Sequence, residues 1–298
     1  MPFACIHTHT TFCDGKDDIE TCCRAAFRKG LVSLGFSAHA PISKKTGIQT
    51  EWNLREDRLQ EYIEEVHAAK KRWEGKLPVY LGLEVDYIDK LMGPADSDYR
   101  EMNLDYIIGS VHYLAPSKGE LFTVDGPAEE LDQGIKEGYD GDPKAAVEAY
   151  YDAEAAMIRA GGFDVLGHPD LIKKNTMAPL FNGTGGRSAG LFSEEDEFYS
   201  KKISMIAGLM AGRGVPAEVN TGGINRGKIK DCYPSLRFLK LLGEQNVPMV
   251  INADAHRAED LDGHYDEGRQ ALLAAGYTET VIFEGRQNGR AVWKKVRL

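Results

Sequence analysis

A short apolar run that stops at a histidine or an acid and is followed by a helical stretch recurs about seven times along this chain. That alternation constrains the fold more than any other feature. The runs are Phe3 to Ile6 ahead of His7 and His9, LVSLGFSA ahead of His39, LPVYLGL ahead of Glu84 and LDYIIGSV ahead of His112. GGFDVLG then precedes His168, VPAEVN leads into a Gly-rich loop, and NVPMVIN precedes Asp254 and His256. Amphipathic segments separate them. Asp17 to Lys29 is closed by Gly30, and Leu54 to Glu74 carries Leu59, Tyr62, Ile63, Val66 and Ala69 on one stripe. Strand and helix in alternation predict an α/β fold with a parallel sheet. No Gly-x-Gly-x-x-Gly or Walker-type loop interrupts the pattern, which favours a closed β/α barrel over a doubly wound open sheet.

In a barrel the carboxyl ends of the strands meet over one mouth. Nine polar residues lie at such ends: His7, His9, Asp14, His39, Glu84, His112, His168, Asp254 and His256. Six of the eight histidines are among them, although they are spread over some 250 residues. The other two, His67 and His264, fall on a helix and at a surface position. His7 and His9 alternate to the same face of an extended segment, as do Asp254 and His256. His-x-His alone would also suit a polar loop, but the distribution as a whole is hard to obtain by chance. Six imidazoles and three carboxylates are too many for one zinc-like ion, which takes four to six ligands. They suit two or three divalent ions, with a carboxylate such as Glu84 between them.

The motifs THTTFCDG after His7, GFSAHAP, GLEVDY, GSVHYL, GHPDL, EVNTGGINRG and NADAH together resemble the polymerase-and-histidinol-phosphatase (PHP) family. More narrowly, they are similar to its stand-alone branch of histidinol-phosphate phosphatases, from residue 3 to about residue 283. The resemblance implies a distorted (β/α)7 barrel, one domain over residues 1–298, with three divalent ions (zinc, manganese or iron) at its C-terminal mouth. It implies one ion held by His7, His9, Glu84 and Asp254, and a second sharing Glu84 and adding His112 and His168. The third would take Asp14, His39 and His256. Glu84, Asp254 and His256 are then catalytic as well as ligating. The implied reaction is hydrolysis of L-histidinol phosphate to L-histidinol and phosphate, a step of histidine biosynthesis, by a hydroxide bridging two cations.

A phosphoryl dianion also calls for a cationic donor. Arg226, in the loop after the sixth strand, is the first candidate, with Lys173 and Arg187 behind it. A substrate with an ammonium and an imidazole calls for an acid, which Asp170, Glu218, Asp125, Glu129 or Glu130 could provide, while Asp86 could orient a ligand imidazole. Two excursions are expected. Residues 115–141 form a long loop with at most a short helix, a candidate wall or lid. Residues 173–192 are irregular and precede a helix that Ser193 caps and that runs to about Gly212.

A net charge of -10 opposes non-specific attraction to nucleic acid or anionic membrane, leaving a small phosphorylated metabolite as the expected partner. No stretch approaches the roughly 20 apolar residues that cross a bilayer. Neither a secretory signal nor zinc-ribbon spacing among Cys5, Cys13, Cys22, Cys23 and Cys232 is evident, which suits reduced thiols in a cytoplasmic protein. Monomer and homodimer are both left open. The rival readings are a PHP phosphatase or phosphodiesterase for another metabolite or nucleotide, an amidohydrolase, and a non-catalytic metal-binding module.

Overall fold

The computed structural model describes residues 2–176, 178–181 and 190–298. In chain order the elements open with α1 (Ile19–Lys29), β1 (Leu34–His39), α2 (Leu59–Arg72), β2 (Val79–Asp86), α3 (Ser97–Glu101) and β3 (Tyr106–Ser110). A small hairpin of β4 (Tyr113–Leu114) and β5 (Phe122–Thr123) precedes α4 (Ala128–Gly138), α5 (Pro143–Ala160) and β6 (Val165–Leu166). Then come α6 (Glu197–Ala211), β7 (Ala217–Asn220), α7 (Gly222–Asn225), α8 (Leu236–Glu244), β8 (Met249–Asn252) and α9 (Tyr265–Ala274). The chain closes with β9 (Glu279–Gln287) and β10 (Arg290–Arg297).

Six strands form one parallel sheet in the order β1-β2-β3-β6-β7-β8, a distorted half-barrel. Their residues are almost all buried, because helices cover the outer face and side chains fill the inner one. The Phe3–Ile6 run does not form a regular strand. The segment from Cys5 to Thr8 makes isolated parallel bridges instead, Cys5 with Leu34 at one edge of the sheet and Thr8 with Ala255 beyond the other. The Gly35 amide donates to the Cys5 carbonyl at 2.8 Å and the His9 amide to the Ala255 carbonyl at 2.8 Å. His7 and His9 are therefore pinned between the first and last strands of the sheet.

The inner face holds a compact apolar cluster of Ile6, Tyr106, Ile108, Val165, Val250, Val281 and Phe283. Tyr106 is its centre. Its hydroxyl donates to the carbonyls of Ile6 (2.5 Å) and Phe36 (2.9 Å), and its ring lies over Gly82, where an added Cβ would come within 2.4 Å of it. The C-terminal hairpin of β9 and β10 supplies Val281 and Phe283 from below. Arg286 on this hairpin reaches the Asp105 carbonyl and the Asp164 carboxylate, just ahead of β3 and β6, so the hairpin floors the amino-terminal end of the sheet.

Two expectations are corrected. The helix expected to be short within residues 115–141 is the eleven-residue α4, which follows β5 and buries only the narrow stripe Leu131, Gly134 and Ile135. Ser193 does not cap α6. The helix begins at Glu197 with Asp196 as the preceding residue, and the Ser193 amide donates to the Asp196 carboxylate at 2.9 Å. Between residues 173 and 192, Leu171–Asn175 and Pro179–Phe181 form single 3-10 turns. Residues 177 and 182–189 lie outside the described residues.

Candidate metal centre

The parallel register delivers the polar strand ends to one place. His39 closes β1 opposite Glu84 of β2, and Asp86 lies opposite Ser110 of β3. His112 and His168 each follow their strands by two residues, and Asp254 and His256 leave β8 in the same way. Four groups result, each with its ligand atoms within 4.8 Å of one another: His9, Asp14, His39 and His256; His7, Glu84 and His168; His7, His9 and Asp254; and His39, Glu84 and His112. All nine residues singled out at strand ends belong to them.

Glu84 stands at the middle. Its Oε1 lies 2.8 Å from His168 Nε2 and 3.6 Å from His112 Nε2. Its Oε2 lies 2.9 Å from His39 Nδ1, 3.3 Å from His7 Nε2 and 3.6 Å from His9 Nε2. The two oxygens of one buried carboxylate thus serve two different sets of imidazoles. His9 Nε2 is also 3.2 Å from Asp254 Oδ1, and His256 Nε2 is 3.0 Å from Asp14 Oδ2.

Several of these atoms are buried with no hydrogen bond: His7 Nε2, His9 Nε2, Asp14 Oδ1, His39 Nδ1 and Glu84 Oε2. Buried polar atoms are ordinarily paired, and orphans that converge on one point fit a cation that they would coordinate. Charge leads to the same conclusion. Glu84, Asp86, Glu218 and Asp254 are buried carboxylates clustered with the imidazoles, only Asp254 is paired with a guanidinium, that of Arg226, and buried carboxylates in such excess call for positive charge.

A further layer of carboxylates orients the imidazoles. Glu218 Oε1 accepts from His7 Nδ1 at 2.7 Å, which turns His7 Nε2 toward Glu84. Asp86 Oδ1 accepts from His112 Nδ1 at 2.8 Å with the same effect. Such partners fix the ring tautomer and raise ligand basicity. The field is strong and uneven. Burial lowers the His7 pKa, but Glu218, Glu84 and Asp254 outweigh it and raise the pKa well above the usual value. His9 is pushed down to about 3, by burial and by the charges of His256 and His39. His112 is raised to about 10, burial being overcome by Asp86 and Glu84. Asp254 also adopts a left-handed φ of 48°, a conformation that costs a non-glycine residue on the order of 1 kcal/mol and is often stored at functional positions.

The ligand atoms open onto a cavity of about 250 Å³, walled also by Trp52, Thr123, Asp125, Lys174 and Arg226. Arg226 donates to Asp254 Oδ2 at 2.9 Å and to the Asp254 carbonyl at 3.1 Å, and lies 3.1 Å from His256 Nδ1. Lys173 does not face the cavity: its ammonium donates to the Cys232 carbonyl at 2.7 Å and lies over the Tyr233 ring. The adjacent Lys174 faces it instead, because consecutive residues of a 3-10 turn diverge. Arg187 lies outside the described residues.

Asp170 and Glu218 are fully buried and engaged by the protein. Asp170 accepts from the Tyr151 hydroxyl and the Ser235 amide, and Glu218 from His7, Asn220, Asn252 and the His168 amide. Glu129 and Glu130 are exposed on α4. Trp52 and Lys174 were not foreseen. Trp52 packs edge-on to His39, with ring centroids 4.8 Å apart, and stacks on Tyr113, yet it sits in a polar loop whose pattern carries no signal.

A parallel α/β half-barrel with imidazoles and carboxylates clustered at the carboxyl ends of its strands is the architecture of a metal-binding barrel. The PHP domain profile matches residues 6–222, and the chain belongs to that family. It is similar to a "Probable histidinol-phosphatase" of Deinococcus radiodurans, 26% identical over 289 residues, covering 94% of this chain and 96% of that one. It is also 26% identical over 271 residues to the histidinol-phosphatase of Bacillus subtilis, covering 87% and 96%. A crystal structure of histidinol phosphate phosphatase from Lactococcus lactis, complexed with zinc, L-histidinol and phosphate, shares the fold with a TM-score of 0.64 at 17% identity, covering 97% and 98%.

Proposed function

We propose that this protein is a metal-dependent phosphomonoester hydrolase that converts L-histidinol phosphate to L-histidinol and phosphate. Glu84 carries the reading: one buried carboxylate offers its two oxygens to separate sets of imidazoles, the disposition of a ligand shared between cations. The full-length similarity to proteins named for this reaction supports the choice of substrate. Under this reading His7, His9, Glu84 and Asp254 hold one divalent ion, Glu84, His112 and His168 a second, and Asp14, His39 and His256 a third, with zinc, manganese or iron as the metal. When bound, such ions neutralise phosphoryl oxygens and make coordinated water acidic enough to attack phosphorus.

The chain's own residues do the remaining work. Arg226 presents to the cavity a guanidinium that Asp254 holds in place, a donor for a phosphoryl oxygen whose charge grows in the transition state. Trp52, stacked on Tyr113, walls the cavity against water beside His39. Glu218 and Asp86 hold the Nδ1 sides of His7 and His112 and so aim their Nε2 atoms at Glu84, which preorganises the ligand set.

The whole chain is read as one barrel domain in which residues 5–9, bridged at both edges, act as the seventh strand. All five cysteines are free, and no helix among the described residues is long and apolar enough to cross a membrane, which supports a cytoplasmic location. The acidic net charge supports a small metabolite rather than nucleic acid as partner.

The test is phosphate release from L-histidinol phosphate beside sugar, nucleotide and other amino-alcohol phosphates, using protein stripped of metal and reloaded with manganese, zinc or iron. A metal-dependent preference for L-histidinol phosphate of about 100-fold in kcat/KM is expected. Preference for another ester would overturn the substrate, and no turnover with metal bound would overturn the hydrolase.

A further inference from the structure

The metal cavity shares Asp125, Gly126 and Lys174 with a second, more open concavity of about 610 Å³ that continues past Asn175 and Lys228. The shared residues form the threshold between the place where phosphorus would react and the space left for the rest of a substrate. Four carboxylates line the inner cavity: Asp14, Glu84, Asp125 and Asp254. Three of them belong to the metal-binding groups, and Asp125 does not.

The position of Asp125 is built. Lys174 Nζ donates to its carbonyl at 2.5 Å and to its Oδ2 at 3.1 Å. Asn175 Nδ2 donates to the flanking carbonyls of Val124 (3.3 Å) and Gly126 (3.0 Å). Two consecutive side chains of the turn after β6 thus clasp the backbone that follows β5, and the carboxylate is held at a fixed point. Its Oδ1 makes no hydrogen bond among the described residues. Burial opposes ionisation there, but Lys174, His112 and His168 outweigh it and keep Asp125 below the usual carboxylate range. The other acids considered for this task are unsuited, Asp170 and Glu218 being saturated by protein donors and Glu129 and Glu130 lying on the outer surface.

We propose that Asp125 is the specificity-determining residue for the organic half of the substrate: its free oxygen receives a protonated nitrogen of the alcohol moiety, so the site favours phosphomonoesters of cationic amino alcohols over neutral ones. This rests on the phosphatase reading above and adds the residue that confers the preference. A charged acceptor left unpaired beside a neutral alcohol is costly, so the same residue that attracts the cation rejects its neutral analogue.

The experiment compares kcat/KM for L-histidinol phosphate and for the neutral ester p-nitrophenyl phosphate, using metal-loaded full-length enzyme and its Asp125→Asn, Asp125→Glu and Lys174→Met variants. Asp125→Asn should lower kcat/KM on the cationic ester about 50-fold, the loss of one charge-assisted hydrogen bond, and leave the neutral ester within about threefold. Asp125→Glu should restore part of the preference. Lys174→Met loosens the same clasp but keeps the carboxylate, and should weaken the preference less than Asp125→Asn does. Equal losses on both esters after Asp125→Asn, or a preference erased as fully by Lys174→Met, would make the clasp responsible and overturn the proposal. If the wild-type protein hydrolyses neither ester, the phosphatase reading fails separately, and calorimetric titration with L-histidinol in the presence of inorganic phosphate still decides the matter. Binding that Asp125→Asn abolishes supports the assignment, and binding that the variant leaves unchanged, or no binding by wild type, refutes it.

Discussion

His7 Nδ1 and Glu218 Oε1 lie 2.7 Å apart, both fully buried, although 211 positions of sequence separate them. The bond joins the first histidine of the clustered groups to the middle of β7. Glu218→Gln keeps the shape of the side chain but loses the charge that polarises His7. It should weaken metal retention about 10- to 100-fold, read by competition with a coloured chelator, with little change in secondary structure by circular dichroism.

Chelation should destabilise the fold, because without cations the buried carboxylates of Glu84, Asp86, Glu218 and Asp254 crowd together with only Asp254 paired to a guanidinium. The expected fall in Tm is about 5–10 °C, reversed by adding back the metal. Trp52, 4.8 Å from His39 and 5.7 Å from His112 between ring centroids, should report the same event as a change in fluorescence. Trp52→Phe should silence that change, leaving only the constant emission of Trp73 and Trp293.

Arg226→Ala should lower kcat/KM for phosphate esters about 100-fold, and Arg226→Lys should recover only part of it, because an ammonium cannot hold Asp254 and a phosphoryl oxygen with one planar fork. Steady-state kinetics at fixed metal loading checks both variants. An effect on metal content alone would assign Arg226 to Asp254 and not to substrate.

Glu154 gives a pH signature away from the metal groups. Burial raises its pKa well above the usual value, Asp170 adds to the rise, and the Tyr150 hydroxyl, donating at 2.9 Å, only partly opposes it. A carboxyl with a raised folded pKa binds its proton more tightly in the native state. Its stabilising contribution is therefore complete below the unfolded pKa and is lost as pH climbs through the folded one. Glu154→Gln removes that dependence. Urea denaturation at pH 5, 7 and 9 should show the variant gaining on the wild type as pH rises.

Gly82 tests the packing of the inner face. An added methyl there would meet the Tyr106 ring at 2.4 Å, and Tyr106 also holds the Ile6 carbonyl just ahead of His7. Gly82→Ala should cost about 1–3 kcal/mol in urea denaturation. It should also loosen metal binding, because displacing Tyr106 displaces the segment that carries His7 and His9.

The strand ends were legible in the sequence because a buried parallel strand is a continuous apolar run, and a polar residue just past it stands out. His112, His168, Asp254 and His256 carried that mark, as did His39 at the last position of β1, whereas Glu84 lies inside β2 and Asp14 in the turn after His9. Glu218 did not carry it, since it sits inside β7 and reads equally well as an acid for substrate. Only the fold reveals that His7 lies against it. Lys173 and Lys174 could not be told apart without the geometry of their turn. The helix α4 was hidden because its buried stripe is only Leu131, Gly134 and Ile135, set among charged residues. The Phe3–Ile6 run was legible as extended chain, but its role as a bridge between the first and last strands depends on partners that periodicity does not name.

The segment from Cys5 to His9 bonds to both β1 and Ala255, and the hairpin of β9 and β10 floors the sheet. On the ribosome the first ligands emerge some 247 residues before Asp254. At about 5–20 residues per second they wait roughly 10–50 s for it. Until then the segment from Cys5 to His9 has β1 on one side and no Ala255 on the other, and the apolar face around Tyr106 has no floor. A nascent chain stalled before β8 already holds the groups His7, Glu84, His168 and His39, Glu84, His112, and lacks only Asp254 and His256, which complete the other two.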